Sequence, residues 1–186
     1  MPVSAVKAYR LLKAFGMLEF RLKQTGEFFQ TKQPRPPIWK EFKIGSLQID
    51  VRRRRAAAPA PVLVVDVDWS KVDRAVARMG AAFVALVPPT ARAKLLAPPR
   101  NGPKKERIAF NQMQRPKAVY QPVNLPPNDA KALVVAMRRV RNNLFHGGKE
   151  DPLEETYPGE DNDWATAAAA VAQVLLDLLD QNRLRL

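Results

Sequence analysis

The sequence has no cysteine and a single histidine, His146. The first absence excludes disulfide bonds and thiolate metal sites, and together the two leave too few soft ligands for a zinc site built by the protein. Long apolar runs are missing as well: no stretch approaches the roughly 18–20 uninterrupted apolar residues of a membrane-spanning helix. Lys7, Arg10 and Lys13 interrupt what would be the apolar part of a secretion signal. These absences lead to the expectation of a cytoplasmic protein with no membrane partner and no cofactor. Acidic residues are scarce over most of the chain. Nine of the 18 fall after residue 149, where only Arg183 and Arg185 oppose them, so residues 1–149 carry 29 basic side chains against nine acidic ones.

The excess of basic residues, a formal net charge of +13 over 186 residues, favours a polyanionic partner, nucleic acid first and an anionic membrane second. Generic solubility charge in an Arg- and Ala-rich composition is the competing account. A hydrophobic fraction of 46% can build a core, and the length fits one domain over residues 1–186.

Helical periodicity is clearest at the two ends of the chain. From Ser4 to Thr25, Leu11, Phe15, Leu18 and Leu22 recur at the i, i+4, i+7, i+11 spacing that lines one face, with Ser4 as N-cap and Gly26 as stop. From Asn128 or Asp129, Leu133, Met137, Val140 and Leu144 repeat that spacing until Gly147 and Gly148. A final helix is expected from about Asp163 to Asn182, with Trp164, Ala168, Val171, Leu175 and Leu178 inward.

The middle is punctuated by proline. Three prolines between Pro34 and Pro37 open a Pro/Arg-rich irregular insertion at about 30–69, which includes the basic run Arg52, Arg53, Arg54 and Arg55 and a β-like segment, Val62–Val67. The basic run suits either RNA phosphates or a solvated loop. A helix is expected to start at Ser70, with Asp73 completing a loose capping box, to carry Val72, Val76, Met79 and Phe83 on one stripe, and to end at Pro88 and Pro89. A basic loop region follows at about 88–127, with a short helix around Lys104–Gln114 and with Phe110 and Tyr120 either stacking on bases or tucked under the loop. The expected class is all-α, a helical bundle with long Pro-rich loops and at most a short β segment in the middle.

The stretch Val140–Lys149, VRNNLFHGGK, holds the histidine. Arg138, Asn142 and His146 are spaced i, i+4, i+8 and share one helical stripe, whereas Arg141 lies about 140° from His146 on an ideal helix. Arg141 meets His146 only by reaching across, by a histidine re-aimed at the helix end, or through a second subunit. A histidine at a helix C-terminus also serves as a capping cation, worth about 0.3–1 kcal/mol. The same residues suit RNA cleavage without a metal. An imidazole titrating near neutrality exchanges the proton of a ribose 2′-OH or of the leaving 5′-oxygen, and a guanidinium stabilises the charge on the phosphate.

Arg141-Asn142-x-x-x-His146, in the wording RNNLFHGGK, resembles the HEPN family (higher eukaryotes and prokaryotes nucleotide-binding). The opening helix, FGMLEFRLKQTGEF from Phe15 to Phe28, is similar to the first helix of many HEPN proteins. The likeness covers the first helix and the last two; the Pro-rich middle lies outside it. It implies a four- to five-helix bundle, commonly a homodimer with the two motifs facing across a cleft. It also implies a metal-independent endoribonuclease of the toxin–antitoxin or phage-defence type, with a possible cognate antitoxin protein, although some members of the family only bind nucleotides or partners. The roles it carries over are His146 as general acid/base, Arg141 on the phosphate and Asn142 in support. Arg138 and Lys149 are further candidates for RNA contact.

Overall fold

Helix α1 (Ala5–Gln24) buries Leu11, Phe15, Leu18 and Leu22, the stripe that its periodicity marks. The computed structural model to which it belongs describes residues 3–32, 64–97, 105–110, 116–121, 124–145 and 159–186. Among these the fold is mostly helical, with six helices and two pairs of short strands. Strand β1 (Phe29–Lys32) follows α1 and pairs antiparallel with β2 (Val64–Val67), Lys32 opposite Val64 and Phe29 opposite Val67. The chain therefore leaves for residues 33–63 and returns at one point.

The helix expected from Ser70 to Val87 is two helices, α2 (Trp69–Met79) and α3 (Ala81–Leu86). Gly80 separates them at φ 52° and ψ −123°, a conformation that an L side chain resists. The cap differs from expectation too. Asp68 is the N-cap of α2, and its Oδ1 accepts from the Ser70 backbone N–H at 3.1 Å and from the Ser70 hydroxyl at 2.6 Å. The hydroxyl's hydrogen bond is the main reason that the Asp68 carboxyl lies below its ordinary pKa. Asp73 is thereby released from capping. Pro88 and Pro89 end α3 as expected, but Pro89 also begins α4 (Pro89–Leu95), because the first helical position needs no N–H.

The expected short helix around Lys104–Gln114 is instead strand β3 (Lys105–Phe110), paired antiparallel with β4 (Pro116–Gln121). A lone eleven-residue helix is marginal in water, and an adjacent strand offers a backbone hydrogen-bond ladder in its place. Residues 88–127 are thus not simply a loop, and the β content exceeds the single short segment expected.

Helix α5 (Asp129–Phe145) packs against α1, α2, α3, α4 and the last helix, α6 (Glu160–Asp180). Ala132, Leu133, Val134, Ala136 and Met137 in α5 have no exposed surface, nor do Ala168, Val171 and Leu175 in α6. Helix α6 closes on Asn182 at φ 59°, after which Leu184 folds back into the core. α1 lies along α6, and their ends are joined by Arg21 and Asp180 at 2.6 Å, a half-exposed pair that contributes at most about 1 kcal/mol. None of these helices is long and apolar enough to cross a membrane.

Two glycines should respond in opposite senses to alanine. Gly16 lies inside α1, and a Cβ there meets nothing within 4 Å. Gly16→Ala is expected to stabilise the fold by about 0.5–1 kcal/mol through helix propensity. Gly80→Ala is expected to destabilise it by about 1–3 kcal/mol, since the positive φ then carries a side chain. Urea denaturation of the two variants measures both.

Candidate nucleic-acid site at the end of helix α5

α5 starts because Asn128 caps it: Oδ1 accepts from the Lys131 N–H at 3.0 Å, and the Asn128 carbonyl accepts from the Ala132 N–H at 2.9 Å. Asp129 in the first turn adds a favourable charge at that end. Because the helix is buried on several sides, the cations near its C-terminal end must find places along the seams between its neighbours.

Arg138 and Arg141 find two aromatic rings. Phe15 of α1 and Trp69 of α2 stack with centroids 5.5 Å apart and planes 28° apart. The Arg138 guanidinium carbon lies 5.1 Å from the Trp69 centroid, and that of Arg141 lies 5.3 Å from the Phe15 centroid. Each contact of this kind is worth about 0.5–2 kcal/mol, more where water is excluded. Arg138 and Arg141 are three residues apart, neighbours on the helix surface, so one stacked pair of rings serves both.

The two arginines differ in their polar partners. Arg138 Nη2 lies 3.5 Å from Asp73 Oδ2, with both side chains at least three-quarters buried. Trp69 and Asp73 are one helical turn apart on α2, which lets a single guanidinium meet ring and carboxylate together. Burial raises the Asp73 pKa, and nearby Arg138 and Lys131 only partly offset it. The other oxygen, Oδ1, is buried without a hydrogen bond among the described residues. Burial also works against the charge of Arg138, which Asp73 supports. Arg139 points elsewhere and donates to the Asn124 carbonyl at 3.4 Å. Burial, then the neighbouring Arg138, lowers its pKa.

Arg141 Nη1 donates to Asn142 Oδ1 at 3.2 Å. Asn142 is exposed and Arg141 half-buried. With its oxygen turned to Arg141, the Asn142 amide has two N–H donors at its other end. A guanidinium laid on a ring also keeps its donor fork in one plane, a geometry that suits phosphate oxygens. Two of the three motif residues are therefore adjacent in space as well as in sequence.

The remaining candidates divide clearly. Arg138, assigned above to RNA contact, is engaged by Asp73 and Trp69 within the chain. His146, Lys149, Arg52, Arg53, Arg54 and Arg55 lie outside the described residues. Phe110 and Tyr120 occupy backbone positions on β3 and β4, Phe110 opposite Pro116 and Tyr120 opposite Glu106. Phe15, Trp69 and Asp73 support the site and were not among the candidates. The usable signals were the Trp-x-x-x-Asp spacing on α2 and an aromatic inside the buried stripe of α1.

The raised pKa of Asp73 predicts a pH dependence. A carboxyl whose folded pKa lies above the unfolded value of 3.8 contributes stability that is present below that value and lost as pH rises through the folded pKa. The stability of Asp73→Asn relative to the native chain should therefore increase as pH rises through that window, which denaturation midpoints between acid and neutral pH would show. Arg138→Ala should cost about 1–3 kcal/mol at neutral pH, because it leaves the buried carboxylate without its cation.

Comparison of the chain with models of protein families, with curated proteins and with solved structures finds no match. The chemistry of this site is therefore argued from the chain's own residues.

Proposed function

We propose that the chain is a metal-independent endoribonuclease of the HEPN kind, working as a toxin or phage-defence effector. The observation that carries the reading is Arg141, seated on Phe15 and hydrogen-bonded to Asn142 in the last turns of α5, five residues before His146. The mostly helical fold and the excess of basic residues before Glu150 support it.

In this reading RNA supplies its own nucleophile. The ribose 2′-oxygen attacks the adjacent phosphorus as its proton passes to a base, the bond from phosphorus to the 5′-oxygen breaks, and that oxygen takes a proton. The products are a 2′,3′-cyclic phosphate and a 5′-hydroxyl. His146 is the group that accepts or returns the proton. Arg141 binds the non-bridging oxygens and stabilises the charge developing on them, with Asn142 orienting the guanidinium or donating to the phosphate. A homodimer with the two α5 ends facing one another would supply one imidazole for each proton transfer. A cognate antitoxin protein would restrain the activity.

A second reading, a non-catalytic HEPN-like module that binds RNA, a nucleotide or a partner protein, draws on one observation. Both arginines already have partners within the chain, Arg138 in Asp73 and Trp69 and Arg141 in Phe15 and Asn142. Such contacts stabilise a helix end without any substrate.

Activity separates the two readings. The nuclease should cleave RNA in the presence of EDTA and leave cyclic-phosphate or 3′-phosphate ends. His146→Ala should reduce the rate by about 10²–10⁴-fold with an unchanged unfolding midpoint. Arg141→Lys keeps a cation near Phe15 and loses the planar fork, so it should lose cleavage while keeping most of the stability. Undiminished cleavage by the His146 variant would overturn the nuclease reading, and salt-sensitive RNA binding without turnover would favour the second.

A further inference from the structure

α1 is apolar on two opposite faces. One is the buried stripe of Leu11, Phe15, Leu18 and Leu22; the other carries Val6, Tyr9, Leu12, Met17 and Phe20, each between 45% and 63% exposed. At about 100° per residue, Val6, Tyr9, Met17 and Phe20 fall within about 80° of one another, with Leu12 beside Tyr9. These five are most of the large exposed apolar side chains among the described residues, which also include Val65, Leu86 and Leu186 elsewhere. From Val6 to Phe20 the stripe runs about 21 Å. Scattered exposed apolar residues are ordinary, but five aligned on one face of a well-formed helix mark a contact surface.

The charges around the stripe select what can cover it. Lys13 stands in its middle, Arg10 along one edge and Lys23 along the other, and none has an ion-pair partner among the described residues. Arg21 is already engaged by Asp180. α1 contains five basic residues and one acidic residue, Glu19. A second copy of this face would bring its own lysines and arginine against these, and a chain of net charge +13 adds to the repulsion. Single-stranded RNA would satisfy the cations and stack on Tyr9 and Phe20, but would leave Val6, Leu12 and Met17 against a charged backbone. An amphipathic helix with an apolar face flanked by aspartate and glutamate satisfies both requirements.

We propose that the outward face of α1 is a docking surface for an acidic amphipathic helix of another protein, with Val6, Tyr9, Leu12, Met17 and Phe20 as its apolar floor, Lys13 as a cation within that floor, and Arg10 and Lys23 as its charged rim. It stands apart from the nuclease reading, because Phe15, which supports Arg141, is on the opposite face of α1.

Three labelled synthetic helices test this with the full chain: an acidic amphipathic one, a basic one with the same apolar face, and the acidic composition scrambled. Fluorescence anisotropy should show the acidic helix binding at least about tenfold tighter than either control. Tyr9→Ser with Phe20→Ser should remove at least about tenfold of that affinity at an unchanged unfolding midpoint. Arg10→Glu with Lys13→Glu, which keeps the floor intact, should reverse the preference towards the basic helix. Failure of the acidic helix to bind, or equal binding of all three, overturns the proposal. So does a self-associated chain that the Tyr9/Phe20 variant dissociates, or RNA binding that this variant abolishes while acidic-helix binding persists. None of these outcomes depends on whether the chain cleaves RNA.

Discussion

The stacked rings of Phe15 and Trp69 hold three helices at one place. α1 and α2 each contribute a ring, and α5 lays an arginine over each. Without the rings, two guanidinium groups beside a buried helix would need water or carboxylates, and among the described residues Asp73 is the carboxylate that reaches Arg138. Aromatic faces accept cations while adding to the apolar core, so α5 can keep arginines near its end and still pack on several sides. The packing of α1 against α5 and the orientation of Arg141 therefore have a common origin.

That origin also explains why the two arginines are unequal. Arg138 shares its partner α2 with a carboxylate, and burial of the pair pushes the Asp73 pKa up and the Arg138 pKa down. A partly buried pair of this kind is weak evidence for net stability, yet removing either member is costly. Arg141 has a ring below it and an exposed amide beside it. The first arginine holds helices together; the second is the one for which chemistry is proposed.

The long helices were legible because their large apolar residues recur at helical spacing: Leu11, Phe15, Leu18 and Leu22 of α1 and Leu133, Met137 and Val140 of α5 are in the core, with Leu144 partly buried against it. Local competition was not legible. Asp68 precedes Ser70 as a cap by binding it, and Gly80 interrupts a stripe that continues in sequence from Met79 to Phe83. β3 is a strand because β4 lies beside it, a fact that no window of Lys104–Gln114 contains. In the site, the motif was visible from spacing, while the expected angular separation of Arg141 from His146 involves a residue outside those described. The link between Arg138 and Asp73 was hidden, because it joins positions 65 residues apart that only packing brings together. Phe15 looked like any other core aromatic.

The pairing of β1 with β2 places the two ends of residues 33–63 on adjacent strands. Opposed residues in an antiparallel pair lie only about 5 Å apart, so the two ends of this segment are held close together. Its length then has little leverage on the fold, since doubling a loop costs only about 0.6 kcal/mol in closure entropy. A longer or shorter connection between Lys32 and Val64 is therefore compatible with the same β1–β2 register.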